Sequence, residues 1–473
     1  MSFLNALASG SGAFFCSCGN VGSFQVVFQL ALFAYNQCRL VPRLVESSWS
    51  MQNKALKKAL KSFDEVERRY VRALEDKGLK FAERGSDDDR CAKLRDELRS
   101  RGAIFRNGGA SIRVGWLSKA CVECTGRGGS ETFSTTFRCH RDCYFCFNYN
   151  LADYGKFVNE GCPWESELKD AYDFNKGEMA ALALIGGEPL LNLDESIRFL
   201  NRAQELFPDA HKRLYTSGDL LTEDGAKRLH DAGLNEIRFS IKQDDPDDLR
   251  ERVLANMKMA TRYLDDVMVE MPIVPGTRAV MEDWMRRFAD NGIRGMNLLE
   301  FCFPFHSWEE FDKRGFTMRN PPFPVMYDYG YSGGLAISGS EELALELMLF
   351  GIEEDLGFGM HYCSLENKHR SEMRQKNEPA RNVHPIFEFD EEDFFMKTAK
   401  VYGPDVEPAK LLLGDAGCRE FYYDDEEDSL AFAPRFLKIL EGSSVQPALA
   451  YNVMESAEGE SFLREVGLKL VEK

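Results

Sequence analysis

The chain has 473 residues, of which 44% are hydrophobic, which is enough to fill a substantial core. Its 77 acidic and 59 basic side chains give a net charge of −18, which disfavours sequence-independent electrostatic binding to nucleic acid. The 13 cysteines are odd in number and unevenly spaced, unlike the disulfide framework of a secreted domain, so a reducing, cytoplasmic location is predicted.

The first 50 residues carry little structural signal. Residues 21–35 are mostly apolar, but this stretch is shorter than the roughly 20 apolar residues that span a bilayer. It also lacks the basic flank of a signal peptide. We therefore expect no membrane association, and we expect residues 1–50 to be poorly structured or to precede a true start at Met51.

A helical N-terminal extension is predicted over residues 51–130. Apolar residues recur at steps of three and four among charged residues over positions 56–74, which is typical of an amphipathic helix. A second charged helix is expected over residues 87–101. Residues 107–116, with paired glycines, are expected to form a loop or hairpin.

Strand-like and helix-like stretches alternate over residues 131–303, which is the pattern of βα units in a parallel sheet. The predicted strands cover residues 132–137, 181–185, 213–216, 236–241, 267–273 and 295–301. The predicted helices between them include residues 194–206, 223–232, 246–264 and 280–291. The sequence therefore predicts an α/β fold, a partial (βα)6 TIM-like barrel with its site at the carboxyl ends of the strands.

The alternation of strand-like and helix-like stretches ends at a Pro- and aromatic-rich loop over residues 304–324. We expect residues 304–473 to form a smaller C-terminal α/β extension that determines substrate specificity. Its first elements would be a strand at 326–331, a helix at 341–356 and a strand that ends at Cys363. The acidic runs at 390–393 and 424–428 are expected to be solvated loops rather than metal sites.

Cys139, Cys143 and Cys146 follow the first predicted strand with the spacing C-x3-C-x2-C. Three thiolates on one loop can ligate three corners of a [4Fe-4S] cluster, and the fourth iron is then open to a substrate. The alternative is a zinc site, which would need a fourth ligand nearby. His140 is poorly placed for that role because it neighbours Cys139, so the spacing favours the cluster.

Polar residues follow the next three predicted strands. Gly186 and Gly187 permit a backbone turn close to a ligand, and the carboxylate of Glu188 can accept hydrogen bonds from an ammonium group. Small hydroxyls and one ammonium group follow the third and fourth strands. These residues are Ser217, Ser240 and Lys242.

These motifs resemble those of the radical S-adenosylmethionine (SAM) superfamily, whose signature is C-x3-C-x-aromatic-C. Phe145 occupies the aromatic position, which implies a place near the adenine of SAM. The resemblance also implies that the three cysteines ligate the cluster and that Gly186, Gly187 and Glu188 hold the methionine amino group. The remaining implied contacts to the ribose and carboxylate of SAM are Ser217, Ser240 and Lys242, with Lys242 replacing an acidic residue that is common in relatives.

The resemblance implies reductive cleavage of SAM to a 5′-deoxyadenosyl radical, which abstracts a hydrogen atom from an unidentified peptide, protein or small molecule. The electron would come from a reductant such as flavodoxin or ferredoxin. The chain also loosely resembles proteins related to pyruvate formate-lyase activating enzyme, so a glycyl radical enzyme activase is an alternative within the class. A rival outside it is a non-catalytic zinc or iron-sulfur binding protein, with a closed site made by Cys121, Cys124, Cys139 and Cys143.

Several cysteines lie outside the main motif. Cys121 and Cys124 form a C-x2-C pair that could build a second metal site with Cys302, Cys363 or Cys418. Isolated buried cysteines are the favoured interpretation, because no later segment repeats a dense cysteine spacing. Cys363 follows a predicted strand among polar residues and is a candidate catalytic residue, for example as a hydrogen-atom donor.

Overall fold

The computed structural model describes residues 53–125, 129–151, 153–323, 334–457 and 460–471. The predictions for residues 1–50 and for a strand at 326–331 lie outside these residues. Within the described part of the chain, every helix is too short or too polar to cross a bilayer.

The N-terminal segment is helical at first, as predicted, and then forms a hairpin. Its helices are α1 (Lys54–Glu75), α2 (Asp88–Ser100) and the short α3 (Lys119–Glu123). Strands β1 (Ile104–Arg106) and β2 (Ser111–Val114) pair in antiparallel orientation between α2 and α3. Asn53 caps α1, because its side-chain oxygen accepts a hydrogen bond of 3.1 Å from Leu56 N.

All six predicted strands are present, and each pairs in parallel with the next. They are β3 (Ser130–Ser134), β4 (Ala181–Ile185), β5 (His211–Thr216), β6 (Glu236–Phe239), β7 (Asp266–Ile273) and β8 (Gly295–Glu300). The helices that follow them are α4 (Tyr154–Glu160), α5 (Trp164–Phe174), α6 (Leu193–Leu206), α7 (Glu223–Asp231), α8 (Asp247–Ala260) and α9 (Arg278–Asp290). The predicted α/β class is confirmed.

The parallel sheet continues beyond the predicted boundary at residue 304. The next elements are β9 (Cys302–Phe303), α10 (Trp308–Lys313), β10 (Leu335–Ala336), α11 (Ser340–Glu353) and β11 (Gly359–Cys363). Strand β11 pairs in parallel with β8 and in antiparallel orientation with β2, which gives the order β1-β2-β11-β8-β7-β6-β5-β4-β3. The strand at Cys363 is therefore a seventh parallel strand of the main sheet, not part of a separate smaller unit.

The physical reason is the apolar character of α11, which buries residues on most of its surface. It contributes to the main core together with α2, so two predicted extensions pack onto the same sheet. An aromatic-rich loop between β9 and α11 resembles a domain boundary in sequence. Here it only separates the sixth parallel strand from the crossover to the seventh.

The C-terminal segment adds an antiparallel sheet with the order β14-β15-β13-β16-β17, and β12 pairs with β13. Its elements are α12 (Leu365–Asn377), β12 (Glu388–Phe389), β13 (Met396–Tyr402), α13 (Val406–Asp415), β14 (Phe421–Asp424), β15 (Ser429–Phe432), β16 (Ala448–Ala457) and β17 (Glu460–Leu470). Helix α1 covers part of this sheet, because Leu56 packs with Tyr402, Ala450 and Leu468.

Candidate functional site

The cysteine loop follows β3 at the carboxyl end of the parallel sheet. Cys139 is exposed, whereas Cys143 and Cys146 are half-buried. Sulfur ligands of one tetrahedral zinc ion lie roughly 3.8 Å apart. Among the described residues, these three cysteines do not bring their sulfur atoms within 4.8 Å of one another, as three ligands of one such ion would.

Two side-chain contacts connect the cysteine loop to the loops after β5 and β6. His140 Nε2 lies 2.8 Å from Asp219 Oδ2, and Arg141 forms an ion pair with Asp245. The side chains of Arg141 and Asp245 are 12% and 10% exposed, so their ion pair is largely shielded from water, whereas the His140 side chain is 29% exposed. Sequence analysis missed these two carboxylates. The available signal was an acidic residue shortly after each strand.

The electrostatics of the loop depend on burial and on Lys242. Burial raises the pKa of all three cysteine thiols, to about 11 for Cys146. The ammonium group of Lys242 lowers the pKa of each and so favours the thiolates that bind iron. Lys242, which the sequence assigned to the carboxylate of SAM, is buried beside these thiols.

The turn after β4 pairs directly with the backbone that enters the cysteine loop. Gly187 N donates to Thr136 O at 2.9 Å, and Glu188 N donates to Arg138 O at 2.8 Å. A Cβ on Gly187 would lie 2.1 Å from Arg138 O, and a Cβ on Gly186 would lie 2.5 Å from Thr136 O. Both glycines are therefore required by the close approach of two backbones.

Glu188 is buried beneath this turn, and its carboxylate accepts four hydrogen bonds. Thr216 Oγ1 and Leu190 N donate to Oε1 at 2.7 and 3.1 Å. Ser217 donates to Oε2 from both its backbone N and its hydroxyl, at 2.7 and 2.6 Å. The structure thus joins Ser217 to the predicted ammonium-binding carboxylate, and it adds Thr216, which sequence analysis did not select.

Phe145 and Ser240 flank this arrangement. The Phe145 ring packs against Tyr144 and Phe301, with centroid distances of 5.0 and 5.8 Å, in a small aromatic core beside the cysteine loop. Ser240 is half-buried, and its backbone N donates to Thr216 O at 2.9 Å, which continues the pairing of β5 with β6. The roles predicted for these residues toward SAM stay predictions.

The radical SAM superfamily model matches residues 133–313. Residues 133–313 are therefore a radical SAM domain. Enzymes of this superfamily use a [4Fe-4S] cluster and SAM, and the matched residues include both the cysteine loop and the glycine turn.

Parts of the chain are similar to known proteins. A proposed glycyl-radical enzyme activating enzyme of Methanocaldococcus jannaschii is 28% identical over 292 residues, which are 59% of this chain and 71% of that protein. Among solved structures, SuiB of Streptococcus suis bound to precursor peptide SuiA is 13% identical over 59% of this chain and 52% of that chain, with a TM-score of 0.30. The AdoMet- and peptide-bound anSMEcpe is 15% identical over 48% and 61%, with a TM-score of 0.33. The chain thus spans about half to three fifths of these two structures.

The C-x2-C pair lies on and just after α3, and Cys121 is buried among polar side chains of the parallel sheet. Cys121 Sγ accepts hydrogen bonds from Asn297 Nδ2 at 3.3 Å and from Arg238 Nη2 at 3.4 Å. Cys418 instead packs in the separate core of the C-terminal sheet. Within the described part of the chain, neither the proposed closed site nor a second single-ion site forms from three or more cysteines within 4.8 Å.

We predict that Cys121 is a thiolate at neutral pH. Burial alone raises its pKa, but the neighbouring Arg238 and His361 outweigh burial and lower the pKa to about 6. The thiolate should therefore form as the pH rises through about 6. Its ultraviolet absorbance is measured as the difference between wild type and Cys121→Ala at each pH. Cys363→Ala is the matched control, because burial raises the pKa of Cys363 to about 12. An unchanged difference spectrum between pH 5 and 8 would contradict this assignment.

A set of potential ligands lies at the opposite, amino-terminal end of the sheet. The donor atoms of His211, Glu236 and Asp266 lie within 4.8 Å of one another. However, Arg238 pairs with Glu236, and Arg294 Nη1 lies 2.8 Å from Asp266 Oδ1. Each carboxylate thus already has an arginine partner. We interpret the set as an ion-pair network at the amino-terminal end of the sheet.

Proposed function

We propose that Cys139, Cys143 and Cys146 hold the [4Fe-4S] cluster of this enzyme and that the adjoining glycine turn binds the methionine end of SAM. The observation that carries this proposal is the pair of backbone hydrogen bonds from Gly187 and Glu188 to the chain entering the cysteine loop. A ligand held by the turn would lie next to the loop, which is the proximity that a reaction between cluster and SAM requires.

Individual residues would bind and orient SAM. The buried carboxylate of Glu188 would accept hydrogen bonds from the methionine ammonium, and Lys242 adds positive charge beside the thiolates. Phe145 and Ser240 are proposed contacts of the adenine and the ribose. With cluster and SAM bound, reductive cleavage supplies a 5′-deoxyadenosyl radical, and a reductant such as flavodoxin or ferredoxin is the proposed electron donor.

Metal analysis separates this proposal from a zinc protein. Protein reconstituted anaerobically with iron and sulfide should bind about four irons and four sulfides per chain. A single tightly bound zinc, with no increase in iron on reconstitution, would overturn the proposal.

We further propose that the hydrogen atom comes from a protein substrate, as in glycyl radical enzyme activation. The support is the activating-enzyme name of the Methanocaldococcus jannaschii relative. The segment after residue 304 is the proposed specificity region. Cys363 is the last residue of the seventh parallel strand, so it lies at the carboxyl end of the sheet, as the cysteine loop does. Burial raises its pKa and favours the neutral thiol. It stays a candidate catalytic residue.

This second proposal requires a different readout. The reduced enzyme and SAM would be incubated with the glycyl radical protein encoded nearest to this gene, and the mixture examined by electron paramagnetic resonance (EPR). A glycyl radical signal that depends on SAM supports a protein substrate. Formation of 5′-deoxyadenosine without that signal would refute activation of that protein and favour a peptide or small molecule.

A further inference from the structure

A continuous chain of hydrogen bonds connects Glu188 to the cysteine loop. Ser217 Oγ lies 2.6 Å from Glu188 Oε2 and 2.7 Å from Asp219 Oδ1. The other carboxylate oxygen of Asp219, Oδ2, lies 2.8 Å from Nε2 of His140, the residue after Cys139. Glu188, Ser217 and Asp219 are nearly excluded from water, so water competes little for the two contacts of the Ser217 hydroxyl.

The chain contains one donor for two acceptors. A serine hydroxyl carries a single proton, so at any moment Ser217 Oγ donates either to Glu188 or to Asp219. Both distances are those of good hydrogen bonds, so rotation of the hydroxyl alone redirects the proton. The two carboxylates therefore share one hydrogen bond.

The Glu188 carboxylate has no spare acceptor position for a new donor. Its four hydrogen bonds use about as many lone-pair directions as a carboxylate offers. Three of the four donors are a threonine hydroxyl and two backbone N–H groups. An incoming ammonium group would most easily displace the Ser217 hydroxyl, because that group alone has a second acceptor within reach.

We infer that Asp219 is a positioning residue that couples occupancy of the ammonium site at Glu188 to the placement of the cysteine loop. When the amino group of SAM binds Glu188, Ser217 donates fully to Asp219, which in turn holds His140. When the site is empty, Glu188 competes for the same proton and Asp219 holds the loop with one hydrogen bond fewer. This inference rests on the proposed role of Glu188 in binding SAM.

The test uses reconstituted holoenzyme and SAM itself, with two readouts: the Kd for SAM and the change that SAM causes in the EPR spectrum of the reduced cluster. Asp219→Ala should raise the Kd about tenfold, because Ser217 then has no acceptor except Glu188 and competes with the ammonium group of SAM. Ser217→Ala removes this competing donor, so its Kd should not rise. Both variants should abolish most of the spectral change while keeping the iron content of the wild type. A general loss of packing would lower iron content instead.

Conservative variants separate coupling from simple structural support. Ser217→Thr keeps the hydroxyl. Asp219→Asn keeps an acceptor for Ser217 and offers an N–H group that His140 Nε2 can accept in its other tautomer, so both variants should retain most of the spectral change. Asp194→Ala is the matched control, because this aspartate is exposed and pairs with Arg228 on the outer surface. If Asp219→Ala loses its cluster, the spectral change in Ser217→Ala alone tests the coupling, because this variant leaves the contact between Asp219 and His140 in place.

The outcomes distinguish this inference from the proposed function. A full spectral change in Ser217→Ala would overturn the coupling and leave the proposed function standing. Wild-type protein that loads a cluster but shows no response to SAM would overturn the proposed function, and the coupling with it.

Discussion

Cys143→Ala should lose the cluster, and SAM cleavage should fall by about 100-fold or more, since even residues that support metal ligands cost 10-fold to 100-fold when replaced. Cys143 is the middle ligand of the proposed set, and alanine leaves two thiolates on the loop. Iron and sulfide analysis after reconstitution, together with chromatography of 5′-deoxyadenosine, measures both effects.

Cys418→Ala is the matched control for this substitution. Cys418 is buried, but it packs between hydrophobic side chains of the C-terminal sheet, so its loss should leave iron content and cleavage unchanged. Full iron content and cleavage in Cys143→Ala would refute the assignment of this cysteine as a ligand.

Gly187→Ala should abolish SAM binding although it adds only a methyl group. The new Cβ would lie 2.1 Å from Arg138 O and 2.6 Å from Phe137 C, and backbone atoms cannot rotate away as a side chain can. The two segments must separate, and this displaces Glu188 from the cysteine loop. Because a misplacement of about 1 Å can reduce a rate about 100-fold, SAM cleavage should fall by at least that factor.

The comparison for Gly187→Ala is Gly414→Ala in α13, where an added Cβ meets no atom within 4 Å. That variant should be stabilised by about 0.5–1 kcal/mol, as expected for glycine replaced by alanine within a helix, with SAM cleavage unchanged. Calorimetric titration with SAM and thermal unfolding distinguish the two variants. A Kd for Gly187→Ala within twofold of wild type would show that the close approach does not control SAM binding.

The motifs and the six parallel strands could be predicted because each is local in sequence. Cys139, Cys143 and Cys146 share one loop, and the glycine turn follows directly on an apolar strand. Periodicity within short windows is sufficient for such features. The positions of these three cysteines relative to the turn then follow from the parallel pairing of β3 with β4.

Other features required the tertiary structure. The strand ending at Cys363 joins the main sheet because α11 is buried against it, and no local pattern reports which sheet a strand joins. Asp219 lies after β5, and only the fold brings it to His140. Likewise, the lowered pKa of Cys121 results from Arg238 and His361 on distant strands, whereas burial alone would have raised it.

The most direct test of the central claim is the amount of 5′-deoxyadenosine that reconstituted wild-type protein forms from SAM under dithionite. If the cysteine loop and glycine turn form one SAM-cleaving site, 5′-deoxyadenosine and methionine should appear in equal amounts, and at least one of each per cluster. The same sample without dithionite should form neither, because the cleavage needs an electron. Protein that holds a full [4Fe-4S] complement and binds SAM, yet forms no 5′-deoxyadenosine, would contradict the claim.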